Sequence, residues 1–411
     1  MSSSSSELDI PQGQRGPVIP GMTGGVHIGV PFISTVLSEL DKLGASKVFV
    51  LANNSSRPLV QPLIEALQEK EILAAPLSTD IVMGGSENGI LKAAGTAAEA
   101  KADCIVTVGG GAIQDAGKLI RLWLAAYDNT SASTKATADG IRAVTSLDPM
   151  PTLPPQICCP NSFAMAELTS VAGMTLENGV KSGAAHASLI PTVTIFDPSL
   201  TSGLPDWVRF GTALRCVEHA VGSATHPRAT DEIRNLALQG LKMVRSGLDV
   251  MVANPTSIEA ALDVYTGGWC AVRALNTNGC YPALGHLIEN MYSAKYGVHQ
   301  GSCSGILCGR ILAHHYEGSK EHQDRIAAVL AESSGKDDDE VSKKSAAYLV
   351  KELVSMLPGV AQDHSDAGVD VETLRDFVDK LPIERFNKLS PTPFKDLDDV
   401  YNMLTRPLDQ L

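Results

Sequence analysis

The chain has 411 residues, 33 Lys and Arg against 46 Asp and Glu, and a formal charge of −13. With 44% hydrophobic and 19% charged residues it is neither a disordered chain nor a glycine-periodic fibre. The acidic balance argues against nucleic acid or an anionic membrane as the main partner, since both need concentrated positive charge.

At roughly 150 residues per domain, this length suggests two or three domains. The eight cysteines form no C-x-x-C pair and mostly sit inside apolar runs, as small hydrophobes do. The opening MSSSSSELDIPQGQRG lacks the apolar core of a signal peptide, and no run reaches the roughly 18 apolar residues of a membrane helix. A reduced, cytoplasmic protein is the expectation.

In chain order, residues 1–20 read as a disordered polar arm. Residues 47–53 (KVFVLAN) are a buried strand, 58–70 a helix, 72–78 a weaker strand and 86–102 an Ala-rich helix opened by Ser86. The run 103–111 is the clearest strand. It ends in three glycines, a helix follows over 113–127, and 191–197 reads as one more strand. Strand and helix alternate with short links, which predicts parallel pairing in a doubly wound sheet. Beyond a link near 197–205 the texture turns helical, with 3.6-residue periodicity over 208–224, 231–253, 258–276, 325–334, 340–357 and 371–381. The expected division is an α/β domain over 21–198 and an all-helical domain over 199–411.

The turn Gly109-Gly110-Gly111 ends a strand and opens a helix. Bare backbone allows a phosphate to approach, and the free amides and dipole of a helix start favour its charge. It is neither G-x-G-x-x-G nor a Walker A loop.

The stretch GGGAIQDAGK (109–118) resembles the G-G-G-S-x-x-D-x-A-K signature of the iron-containing alcohol dehydrogenase family. Residues 160–205 resemble a second signature of that family, nearest to its maleylacetate reductase branch. Segments 212–227 and 279–307 resemble that branch's G-x-R-A-x-D-H-A-x-E and G-x-S-H-G-I-G-H…G-x-x-H-G-E motifs. The likeness runs over about 25–405 and implies the iron-type alcohol dehydrogenase (dehydroquinate synthase-like) fold.

The resemblance implies a dinucleotide, NADP or NAD, on Gly109, Gly110, Gly111 and Asp115, with nicotinamide near Asn161 and Ser162. The adenosine ribose would lie beyond the first strand, near Asn53 and Ser55. Ser55, Ser56 and Arg57 with no acid beside them tilt the reading slightly to NADP. Lys118 and Arg215 are the cations expected at the bound anions.

The chain departs from the family at the metal. Where the metal-dependent branch has an Asp and a His four apart on one helix, this chain has Arg215 and His219, and the third ligand position falls on Pro282. A guanidinium repels a cation and proline offers no donor, so no catalytic metal is expected, although His219 and His299 remain. In this reading Arg215 grips a substrate carboxylate or enolate oxygen, the alternative being a plain ion pair with Glu218. His219 and His286 carry protons, with His299 as a second donor and Tyr281 or Tyr296 nearby. Ala164-Met165-Ala166-Glu167 replaces the branch's Ala-Gly-Ser-Glu.

The expected activity is a metal-independent, NAD(P)-dependent oxidoreductase acting on a small or medium unsaturated or keto acid. The alternative is a repurposed member performing dehydration, isomerisation or cyclisation of an acidic intermediate. A small acidic molecule is the expected partner, and the resemblance points to a homodimer.

Overall fold

The computed structural model describes residues 25–81, 84–129, 138–332 and 344–411. The polar arm expected over 1–20 lies outside them. The chain divides into two compact units: the described residues up to Pro160 with 170–174 and 183–197, and residues 161–169, 175–182 and 198–411.

The first unit is built on a five-stranded, wholly parallel sheet in the order β1-β7-β4-β3-β2. Its strands are β1 (Gly25–Ile28), β2 (Val48–Ala52), β3 (Cys104–Gly109), β4 (Gln156–Pro160) and β7 (Val193–Phe196), and every residue of each is buried. Near-continuous apolar strands are what a parallel sheet covered on both faces requires. Helix α1 (Phe32–Leu43) carries the chain from one edge to the other, after which β2, β3, β4 and β7 step back across. The remaining connections are α2 (Arg57–Glu69), α3 (Glu87–Glu99), α4 (Gly111–Asn129) and α5 (Ala138–Val144). The weak strand expected over 72–78 is reduced to isolated bridges at Leu73 and Ser78 on the β2 edge. A separate two-stranded sheet pairs β5 (Val171–Thr175) with β6 (Lys181–Ala185).

The second unit is helical: α6 (Asp206–Thr225), α7 (Asp231–Ala253), α8 (Ile258–Leu275), α9 (Leu284–Tyr296), α10 (Gln300–Glu332), α11 (Ala346–Ser355) and the short α12 (Leu374–Val378), α13 (Ile383–Asn387) and α14 (Leu397–Leu404). Helix α6 is the axis of this unit, buried on almost every side and packed against α7, α8, α9 and α10. A helix so enclosed can carry polar groups only if they satisfy one another.

Residues 161–169 belong to the second unit, not to the α/β domain expected to run to 198. The amide of Phe163 donates to the Thr212 hydroxyl at 3.1 Å, and its ring packs on Tyr265 at 4.8 Å. Met165 holds a left-handed backbone (φ 58°), a conformation that costs a non-glycine residue roughly 1–2 kcal/mol. Its fully buried side chain lies over Gly268 of α8, where a Cβ would stand 2.3 Å from the Met165 methyl and 2.7 Å from the Cys216 sulfur. The methionine that replaces the family's glycine is thus accommodated by a glycine on the facing helix.

Gly268→Ala is expected to cost about 1–3 kcal/mol through overpacking, and Met165→Ala about 2–5 kcal/mol through lost burial. Denaturant unfolding of the double variant should show a loss smaller than the two added together by about 1 kcal/mol. Simple additivity would contradict this packing.

Candidate functional site

In the first unit, the glycine turn lies at the carboxyl end of β3, the edge at which open α/β sheets bind ligands. A Cβ on Gly109 would stand 2.4 Å from Asn53 Oδ1 and 2.7 Å from Ile113 Cγ1, so only glycine fits. The Gly110 amide donates to Asn53 Oδ1 at 3.3 Å, joining the ends of β2 and β3. From beneath, the Gln114 amide nitrogen donates to the Gly109 carbonyl at 2.8 Å while its oxygen accepts from Thr107 at 2.6 Å. Gly117 lets α4 settle on the sheet, its missing Cβ being 2.4 Å from Gln156 Nε2. The result is a rigid, bare-backbone turn opening a 19-residue helix, which suits a pyrophosphate. Ser55 is exposed beyond β2, and Arg57 donates to the Thr79 hydroxyl at 3.2 Å.

Asp115 and Lys118, expected at the cofactor, are turned to another task. Asp115 accepts from the Gly173 amide at 2.9 Å and from Lys118 at 3.3 Å, and the fully buried Lys118 ammonium donates to the Val171 carbonyl at 2.7 Å. Both side chains hold β5 in place. Asn161 and Ser162 are buried in the second unit.

The second unit holds the acid–base cluster. Arg215, Glu218 and His219 fall at i, i+3 and i+4 on one face of α6, and His286 and Glu289 at i and i+3 on one face of α9. Arg215 forms an ion pair with Glu289, the two side chains being 5% and 0% exposed. The expected grip on a substrate oxygen would come from a guanidinium already paired, and its partner is Glu289 in place of the Glu218 expected as the alternative. A guanidinium can only donate. His286 Nδ1 therefore accepts from Arg215 at 2.9 Å, and His219 Nε2 faces it at 3.5 Å. Neutral His286 then carries its proton on Nε2, 3.3 Å from the Tyr281 hydroxyl. His219 carries its proton on Nδ1, which meets no partner among the described residues.

One guanidinium serves two buried carboxyls. Burial pushes Glu289 and Glu218 up, and Arg215 pulls both back in part. The Glu218 charge adds to the upward push on Glu289, direct contact with Arg215 favours its ionised form, and Glu218, without that contact, is raised to about 7. Burial, and then the Arg215 charge, holds His219 and His286 well below the usual imidazole range. His299 stands apart from these hydrogen bonds. Its ring packs edge-on to Trp207 at 5.1 Å, its Nδ1 accepts from the Gly301 amide, and burial lowers it to about 4.

Glu289 was the residue that sequence reasoning missed, and its i+3 spacing from His286 on an apolar face is the pattern that would have found it. The sequence presents Glu218 only as a helix-surface partner.

Residues 25–198 match the profile of iron-containing alcohol dehydrogenases, and 211–407 match the C-terminal profile of the same family. The chain belongs to the iron-containing alcohol dehydrogenase family. Members of this family are NAD(P)-dependent oxidoreductases, and this chain is similar to the maleylacetate reductases among them. It is 23% identical over 310 residues to maleylacetate reductase of Burkholderia cepacia, covering 75% of this chain and 78% of that protein. Over 376 residues it is 23% identical to long-chain-alcohol dehydrogenase 1 of Geobacillus thermodenitrificans, covering 90% and 92%. The crystal structure of maleylacetate reductase from Agrobacterium tumefaciens shares the fold at a TM-score of 0.75 and 20% identity, over 95% of this chain and 97% of that one. That of a 1,3-propanediol oxidoreductase does so at 0.79 and 18% identity, over 93% and 98%. No helix among the described residues is long and apolar enough to cross a membrane.

The family's name raises the question of a metal. Among the described residues the donor atoms of Glu218, His219 and His286 lie within 4.8 Å of one another. Arg215 already donates into that group, so the ring lone pairs that would face an ion face a fixed positive charge instead.

Imidazoles lowered by burial set the acid response of the fold. His219 and His286 lie well below their ordinary value, His226 and His299 at about 4 and His315 at about 3, burial being the main cause each time. They bind protons more weakly folded than unfolded, so the stability they allow is whole above about pH 6.5 and drains as pH falls below it. His314, His322 and His364 are lowered in the same way, and Glu218, Glu289 and Asp263, raised when folded, act in the opposite sense but are three groups against eight. Thermal and denaturant unfolding should show a net loss of about 2 kcal/mol or more between about pH 7 and about pH 5. A flat profile would contradict the buried, neutral assignment.

Proposed function

We propose that this protein is a reductase that takes hydride from NADPH or NADH, acts on a small or medium unsaturated or keto acid, and needs no divalent metal. The observation that carries this reading is the Arg215 guanidinium, 2.9 Å from His286 Nδ1 and 3.5 Å from His219 Nε2. It is a permanent cation that cannot be deprotonated, so both imidazoles must turn a lone pair to it and keep their N–H groups for other partners.

Gly109, Gly110, Gly111 and Asn53, with Ser55, Asn161 and Ser162, are the residues assigned to the dinucleotide. Reduced nicotinamide, when bound, supplies a hydride to an electrophilic carbon. The protein's own part is the proton. Arg215 fixes His286 as an Nε2–H donor, the Tyr281 hydroxyl gives its proton to the substrate, and the phenolate left behind is held by the hydrogen bond from Nε2–H until solvent returns the proton. Arg215 thus acts through an imidazole and does not itself grip the substrate, since Glu289 already neutralises it. His219 offers a second N–H, and His299 lies outside the relay.

A second reading, dehydration, isomerisation or cyclisation of an acidic intermediate, draws on the same cluster, which is complete for acid–base work without a hydride.

Fluorescence titration of the pure protein with NADPH and NADH should show saturable binding of at least one, and a panel of keto and unsaturated acids should include one that drives its oxidation. His286→Ala should slow that turnover by about 10²–10⁴-fold while leaving nucleotide affinity unchanged. Binding of neither nucleotide would overturn the reductase reading. Substrate turnover with bound nucleotide left unconsumed would favour the second.

A further inference from the structure

Helix α6 is buried along nearly its whole length, yet it opens on an exposed tryptophan. Trp207 is 40% exposed, whereas the other two tryptophans, Trp123 and Trp269, are buried. Trp207, Gly211, Arg215 and His219 follow one another at i+4, so Trp207 heads the stripe that carries the acid–base cluster, about 12 Å from Arg215 along the axis. His299 lies against this stripe. Its ring packs edge-on to the indole at 5.1 Å and passes Gly211, where a Cβ would stand 3.5 Å from Nδ1. Two further glycines make room for the pair. A Cβ on Gly301 would be 2.3 Å from the Gly211 carbonyl carbon, so only glycine lets the first turn of α10 press on α6. Gly359, beyond α11, holds φ 74° against Trp207, and a Cβ there would stand 3.1 Å from that of the tryptophan.

The Gly301 amide donates to His299 Nδ1 at 3.2 Å, which puts the proton of the neutral ring on Nε2. That N–H meets no partner among the described residues. A tryptophan kept for packing alone would hide its ring, as Trp123 and Trp269 do. An indole fixed half-open beside one unused donor is the lining of a ligand subsite, with aromatic surface for contact and a polar group for orientation.

We propose that Trp207 and His299 form the subsite for a conjugated carboxylate, an enoate or an arene carboxylate, at the end of the substrate remote from the reacting carbon. Its planar π-system lies against the indole, and one carboxylate oxygen accepts the Nε2–H of His299. Donor and anion make a charge-assisted hydrogen bond, and contact between π-faces favours a flat group over a puckered one of equal size. The inference rests on the reductase reading above and narrows its substrate. With Tyr281 and His286 at the level of Arg215, the acid must hold its reacting carbon and this carboxylate apart, so that both ends are engaged at once. The shortest keto acids do not meet that requirement.

The test compares benzoate with cyclohexanecarboxylate, which share size and charge and differ in flatness, by calorimetry on the whole protein with and without nucleotide. Benzoate is expected to bind about fivefold more tightly and to change the emission of the one exposed tryptophan. Trp207→Leu should abolish the preference, and Trp207→Phe, which keeps a flat face, should retain it. His299→Leu should weaken both acids about tenfold, and His299→Gln, which keeps a donor, should restore them. Equal binding of the two acids, a preference unmoved by Trp207→Leu, or affinities untouched by His299→Leu would each overturn the proposal. If a leucine variant fails to fold, the wild-type tryptophan emission decides, and emission unchanged at saturating benzoate overturns the subsite. Benzoate bound through the pair by a protein that binds neither NADPH nor NADH would defeat the reductase reading alone. A keto acid that drives nucleotide oxidation with no competition from benzoate would overturn the subsite and leave the reductase standing.

Discussion

Arg215 is a permanent cation, 4% exposed, on the most enclosed helix of the second unit, and the chemistry around it follows from that placement. An isolated buried charge costs far more than a fold can tolerate, so a carboxylate must answer it, and α9 supplies Glu289. Because a guanidinium has donors and no lone pair, the two imidazoles beside it must turn acceptors toward it, which fixes their tautomers. With one positive charge already paired, burial raises the second carboxyl, Glu218, to about 7, so that it titrates near physiological pH. One residue thereby sets the protonation of four others.

The first unit rests on a different economy, the removal of side chains. Gly109 and Gly117 bring the β3–α4 turn against Asn53 and the sheet, and the buried pair Thr107 and Gln114 pins the carbonyl of Gly109 from below. Asp115 and Lys118, which follow on the next turn of the same helix, spend their charges on the backbone of β5. What the turn presents outward is amide and helix dipole, sufficient for an anion and indifferent to its finer chemistry.

Much of this was legible in the amino-acid order. The apolar runs at 47–53, 103–111 and 191–197 became β2, β3 and β7, and the periodic stretches beyond 205 became helices, because long segments with one strong period leave few alternatives. Strands β1 and β4 were not seen. The first is four residues long, and QICCP is bracketed by prolines with a buried glutamine at its head that earns its place only by reaching Thr107 and Gln114. The β5–β6 pair is short and rich in glycine and alanine, with no alternation to betray it. In the site, helical spacing brought Arg215 and His219 together and the family likeness added His286. The fate of their charges was not legible, because pairing depends on which helix faces which. Hence Lys118 was expected at a ligand and lies beneath a strand, and Glu289 went unnoticed although it answers the central cation.

The proposed function has Arg215 in place of a divalent metal. Its most direct test is elemental analysis of the protein purified, without chelators, from cells grown with ample iron and zinc. Metal well below one ion per chain, and unchanged in His219→Ala, is the predicted result. About one ion per chain, lost on His219→Ala or His286→Ala, would contradict the account.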